Sequence, residues 1–109
     1  MTSKPLESDW KSFRKMAPKL RDRYLDQCNS ELSCIINDDS STSTENFWTL
    51  EERVRKEARI LRECLDGHSR SRMLEFILIM YRHKMLTDSD LREFSEELQA
   101  RVNGILSIQ

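Results

Sequence analysis

Apolar residues at Trp10, Phe13, Ala17, Leu20, Tyr24, Cys28, Leu32 and Ile35 recur every three or four positions. That spacing places them on one face of a helix. Pro18 interrupts the stretch, removing an amide donor and disfavouring helical angles at Ala17, so the first helix is expected to be kinked or split there. Residues 37–46 are polar without exception, and their short side chains compete for local backbone hydrogen bonds, which predicts a loop. The spacing Thr42-x-x-Glu45 then has the form of a capping box. From there a second helix is predicted to about Asp66, with the nearly heptad stripe Phe47, Leu50, Val54, Ala58, Leu61 and Leu65. Gly67 stands where a left-handed residue closes a helix.

A third helix is expected from Ser69 or Ser71 to about Lys84. Met73, Leu74, Phe76, Ile77, Leu78, Ile79, Met80 and Tyr81 cover most of its circumference, the pattern of a buried helix. Thr87-Asp88-Ser89-Asp90 supplies a hydroxyl cap and first-turn acids for a fourth helix, which carries Leu91, Phe94, Leu98, Val102 and Ile105 and has Gly104 as a possible stop. Glycine and proline occur twice each, and alternating β-branched segments are missing, so there is little from which to build a sheet. The predicted fold is all-α: a small antiparallel helical bundle of four or five helices in a single domain over 1–109. Residues 1–8 are expected to be disordered and 37–46 to form the polar loop.

Composition narrows the setting. Of 109 residues, 38% are hydrophobic, and 18 basic against 19 acidic side chains leave a net charge of −1. The longest apolar run, from Phe76 to Tyr81, is far below the ~20 residues of a membrane-crossing helix, so no membrane span is expected. No apolar block follows Lys4, so a secretory signal is not read and a cytoplasmic location is the expectation. Cys28, Cys34 and Cys64 cannot all pair within one chain and lie in apolar stretches, which suits reduced thiols.

Charge is unevenly spread. Lys11, Arg14, Lys15, Lys19, Arg21 and Arg23 against Asp22 give residues 11–23 a net of +5. Asp88, Asp90, Glu93, Glu96 and Glu97 against Arg92 give residues 88–97 a net of −4. Either the two segments lie side by side and neutralise each other, or they form separate surfaces for different partners. A whole-chain charge near zero weighs against general nucleic-acid binding, which scales with the phosphates neutralised.

The string from Asp66 to Arg72 holds a candidate anion site. Arg70 and Arg72 oppose the macrodipole at a helix start unless an anion or carboxylate meets them, and His68 and Ser69 stand beside them. Alternatively Asp66, Glu63 or an acid of the fourth helix pairs with these arginines and fixes the turn. Cys64 and His68 stand four apart, but two ligands do not make a zinc site, so neither a metal nor a cofactor is expected. Cys64 reads as a packed, unactivated thiol. Trp48 is turned about 100° from the stripe that Phe47 continues, leaving it either against the loop or basic helix or free as an aromatic anchor.

No catalytic constellation is present, so an enzyme is not expected. The first expectation is a protein–protein interaction or structural module, a homodimer or a component of a larger assembly, using Trp48 and the Lys11, Lys15, Lys19 and Arg23 surface. The alternative is an anion- or nucleic-acid-binding module built on the basic 11–23 segment and the Arg70/Arg72 helix start.

Overall fold

The computed structural model describes residues 6–108. These form five α-helices, α1 (Glu7–Ile36), α2 (Ser43–Leu65), α3 (Met73–Arg82), α4 (Asp88–Leu91) and α5 (Glu96–Ile108), with one 3₁₀ turn at Arg70–Arg72 and no strand among them. The chain is a small all-α bundle. None of the helices among the described residues is long and apolar enough to cross a membrane.

α1 is one unbroken helix of 30 residues with Pro18 inside it, so the expected split does not occur. The reason lies on either side of the proline. Phe13, Met16, Ala17 and Leu20 are all buried, so the face that packs is continuous, while Pro18 itself is exposed. Glu7 and Ser8, expected to be disordered, open this helix, and Leu6 is its N-cap residue. Of the remainder of that expected segment, residues 1–5 lie outside the described residues.

The loop is shorter than its polar composition predicts, because α2 begins at Ser43. The Thr42 hydroxyl accepts from the Glu45 amide at 3.1 Å, and the Glu45 carboxylate accepts from the Thr42 amide at 3.3 Å. This reciprocal cap satisfies two helix-end amides and takes the last four residues of the polar run, 43–46, into the helix. Gly67 closes the far end with φ +80°, as expected of a left-handed C-terminal residue. α1 and α2 run antiparallel: Tyr24 meets Glu57, Glu31 meets Arg53, and Asp38 meets Asn46.

α3 stops at Arg82 rather than Lys84. Lys84 takes the left-handed region, φ 61°, and the Met85 and Leu86 amides turn back to the Met80 carbonyl. That turn buries Met85 and Leu86. The expected fourth helix is two helices. Asp9 is buried, and its carboxylate accepts from the Ser95 amide at 2.8 Å and from the Ser95 hydroxyl at 2.6 Å. Ser95 Oγ in turn accepts from the Leu98 amide at 3.2 Å. A buried carboxylate at the positive end of α5 is well placed electrostatically, and it anchors a fresh helix start. Gly104 does not end α5, which continues to Ile108.

The buried core joins Trp10, Phe13, Met16 and Leu20 of α1 to Cys64, the α3 residues Met73, Phe76, Ile77 and Met80, and residues from Met85 to Val102. No member of that core falls between residues 21 and 63; Tyr24, Ile60 and Leu61 pack on its margin. The C-terminal half of α1 and the N-terminal half of α2 therefore extend past the bundle as a two-helix arm. The molecule measures 57 × 28 × 23 Å.

Candidate functional site

Four of the large apolar side chains left exposed lie on the arm: Ile36, Phe47, Trp48 and Val54. Phe47 is 54% and Trp48 60% exposed, and their rings meet edge to face at 5.0 Å. Their position follows from how α2 is turned. Asn46, Glu57 and Cys64 are the buried residues of α2, and Phe47 and Val54 stand about 60–100° around the helix from that line. Polar groups direct this rotation. Asn46 Nδ2 donates to the Asp38 carbonyl at 2.9 Å, Arg53 binds both Glu57 and Glu31, and the Tyr24 hydroxyl donates to Glu57 at 2.5 Å. The heptad stripe consequently splits. Leu61 and Leu65 pack on the core, Leu50 and Ala58 are half-buried, and Phe47 and Val54 face outward. Trp48 does not rest against the loop or the basic helix deeply enough to be covered.

The polar junction at the base of the arm is the strongest cluster of titratable groups. Tyr24, Cys28, Glu31, Arg53 and Glu57 line a cleft of about 330 Å³ together with Arg23, His83 and Lys84. Burial works to raise the Glu57 pKa, but hydrogen bonds from Tyr24 and Arg53 override it and hold the carboxyl below its usual range. Burial and the Glu57 carboxylate push the Tyr24 phenol up, and burial pushes the Cys28 thiol up. Glu57 is thus held as the carboxylate and Tyr24 and Cys28 as the neutral phenol and thiol, each deeper in the protonation state it already holds at neutral pH. Such a cluster clamps two helices together; these groups are poorly matched to proton transfer at neutral pH.

The arginine turn is internally answered. Arg70 makes a two-pronged pair with Glu7, at 2.9 and 3.1 Å, and lies 5.6 Å over the Trp10 ring. Arg72 pairs with Glu75 at 3.0 Å and lies 4.9 Å over Phe76. The compensating carboxylates are Glu7 and Glu75, not Asp66, Glu63 or an acid of the expected fourth helix. His68 sits between Phe13 and Phe76, with ring centroids 4.8 and 4.5 Å away, and its Nε2–H donates to the Cys64 carbonyl at 2.7 Å. Ser69 lies near Ser71, their hydroxyls 3.4 Å apart. His68 and Arg70 thus clasp the start of α1 to the turn before α3, while Ser69 and Arg72 make their contacts within that turn and α3.

Basic and acidic segments meet in one place. Arg23 binds Asp90 at 2.6 and 3.3 Å and also donates to the Met85 carbonyl at 3.0 Å. Asp90 belongs to a second reciprocal cap, with Thr87, at the start of α4. Lys15, Lys19 and Arg23 share a cleft of about 320 Å³ with Asp90 and Glu93. Lys11, Lys15 and Lys19 are exposed, and among the described residues none reaches a carboxylate at salt-bridge distance. The thiols of Cys28, Cys34 and Cys64 are free, with burial pushing Cys64 up to about 11. Among the described residues no group of three or more His, Cys, Asp or Glu side chains is placed to hold a metal ion.

Phe47 and Val54 were legible as helix-face residues, but not as exposed ones. The polar face of Asn46, Arg53 and Glu57 stands at helical spacing in the sequence and was the available signal that α2 would turn this way. Asp9 was missed altogether; the signal for it was Ser95-Glu96-Glu97, a hydroxyl followed by two acids, which is a helix start. Comparison with family models, with curated proteins and with solved structures gives no match.

Proposed function

We propose that this chain is a non-enzymatic protein–protein interaction module that docks a different protein on its two-helix arm. The observation that carries this is the edge-to-face Phe47–Trp48 pair, more than half exposed on a capped, well-anchored helix. Large aromatics are the side chains that most often dominate binding energy at interfaces, and a rigid helix presents them with little entropy left to lose. The clamp of Tyr24, Arg53 and Glu57 supports the same function by holding α2 in the rotation that turns these rings outward. A reducing, cytoplasmic setting belongs to this proposal, since Cys28 and Cys64 are packed as buried thiols.

A second function, anion or nucleic-acid binding, draws on the exposed Lys11, Lys15 and Lys19 ridge. It is disfavoured by the carboxylates of Asp90 and Glu93 across the cleft and by the engagement of Arg70 and Arg72. One experiment separates the two. Proteins retained from an extract of the source cells by the native chain are identified by mass spectrometry and compared with those retained by two variants. Docking on the arm predicts that Phe47→Ser/Trp48→Ser loses specific retained proteins, while Lys11→Gln/Lys15→Gln/Lys19→Gln keeps them. Both variants alter exposed side chains, so thermal stability is expected to stay within about 0.5 kcal/mol of native. Retention that survives the aromatic double variant and is lost in the lysine variant overturns docking on the arm and moves the binding surface to the lysine ridge, where the second function lies.

A further inference from the structure

We infer that the segment received by the arm is a basic amphipathic helix, supplied by another protein and not by a second copy of this chain. The inference rests on the arm being the docking surface, and it concerns what fits there. Residues 38–52 carry five carboxylates, Asp38, Asp39, Glu45, Glu51 and Glu52, and no basic side chain. Phe47 and Trp48 lie within this acidic stretch. Arg55 answers Glu51, and Arg53 is committed to Glu31 and Glu57. Asp38 accepts from the Ser40 hydroxyl at 2.6 Å and amide at 2.9 Å, bonds that keep its carboxylate ionised. Glu45 is held at the helix start by Thr42. The arm is thus an apolar aromatic patch with a negative rim.

A second copy meets this surface poorly in either orientation. Arm against arm sets two rims of like charge together, which repels. The basic α1 ridge of another copy brings the right sign, yet it offers nothing apolar. Among the described residues the exposed large hydrophobics are Leu6, Ile36, Phe47, Trp48, Val54 and Ile108, and none lies in the 11–23 segment. The complement must combine apolar side chains for the rings with Lys or Arg around them. One face of a basic amphipathic helix presents both at the spacing a helical surface can receive.

The test uses the full-length chain and fluorescence anisotropy of labelled synthetic peptides of about 14 residues: a Leu/Lys amphipathic helix, its Leu/Glu counterpart, and a Lys peptide with Gly in place of Leu. The Leu/Lys peptide is expected to bind about tenfold or more tightly than either control at about 0.1 M salt, with the advantage shrinking at about 1 M as the screening length falls from about 10 Å to about 3 Å. Asp39→Asn/Glu52→Gln is expected to weaken that binding about threefold or more, and Phe47→Ser/Trp48→Ser about tenfold or more. Equal binding of the Leu/Glu peptide overturns the basic partner while leaving the arm as the docking surface. Leu/Lys binding untouched by the aromatic double variant overturns the docking surface itself. Absence of Leu/Lys binding, or a dimer of the native chain that the double variant abolishes, overturns the inference.

Discussion

Asp90 shows how one side chain joins distant parts of this chain. Its carboxylate caps α4 through the Thr87 amide at 2.8 Å and hydroxyl at 2.9 Å, and it takes the Arg23 guanidinium from α1. Burial alone would raise its pKa; the bonds from Arg23 and Thr87 bring it below the usual carboxylate value. A folded-state pKa below the unfolded one means the ionised group stabilises the fold above about pH 4, and that this contribution disappears as pH falls through the folded value. Asp90→Asn is therefore expected to cost about 2 kcal/mol at neutral pH and progressively less as the pH falls below about 4 and the Asp90 carboxylate takes up its proton. Chemical denaturation of both proteins at neutral pH and below about pH 4 checks this. A pH-independent loss contradicts the role given to the charge. The Thr87-x-x-Asp90 spacing was readable as a helix start, but the Arg23 partnership was not, because Arg23 and Asp90 are 67 residues apart and several carboxylates in 88–97 compete for the role on sequence grounds.

At the scale of elements, Pro18 is the clearest departure from what the local sequence favours. A proline in the middle of a helix leaves the carbonyl four residues earlier, here that of Arg14, without its normal amide partner. α1 nonetheless continues through it, because Phe13, Met16, Ala17 and Leu20 together bury more apolar surface than a broken helix could align. The side chain faces solvent, so Pro18→Ala restores an amide without disturbing the core. It is expected to raise stability by about 2 kcal/mol, read as an upward shift in melting temperature. A destabilised variant would mean that the proline sets a bend on which the packing of α1 depends. The same balance of local and tertiary forces explains what the apolar pattern could and could not predict. Helical periodicity located α1, α2 and α3 to within a few residues. It could not place the break between α4 and α5, because that break depends on Asp9 reaching Ser95 across 86 residues. Nor could it give the rotation of α2, where Asn46, Arg53 and Glu57 prevail over the Phe47–Val54 stripe.

At the scale of the whole molecule, the arm dominates. A compact domain of this length has a radius of gyration of about 13 Å, whereas this chain has 17.0 Å. The excess reflects two helices that run past the core and carry aromatic rings and an acidic rim at the end distant from the Lys11–Lys19 ridge. The arm-docking proposal for a different, basic partner requires the isolated chain to leave this surface uncovered. The most direct test is molar mass in solution by light scattering, on reduced protein at about 0.1 M and about 1 M salt. The mass of one chain is expected at both. A dimer that reverts to monomer on Phe47→Ser/Trp48→Ser substitution would show that the arm receives a second copy of this chain, and would contradict docking of a different protein there.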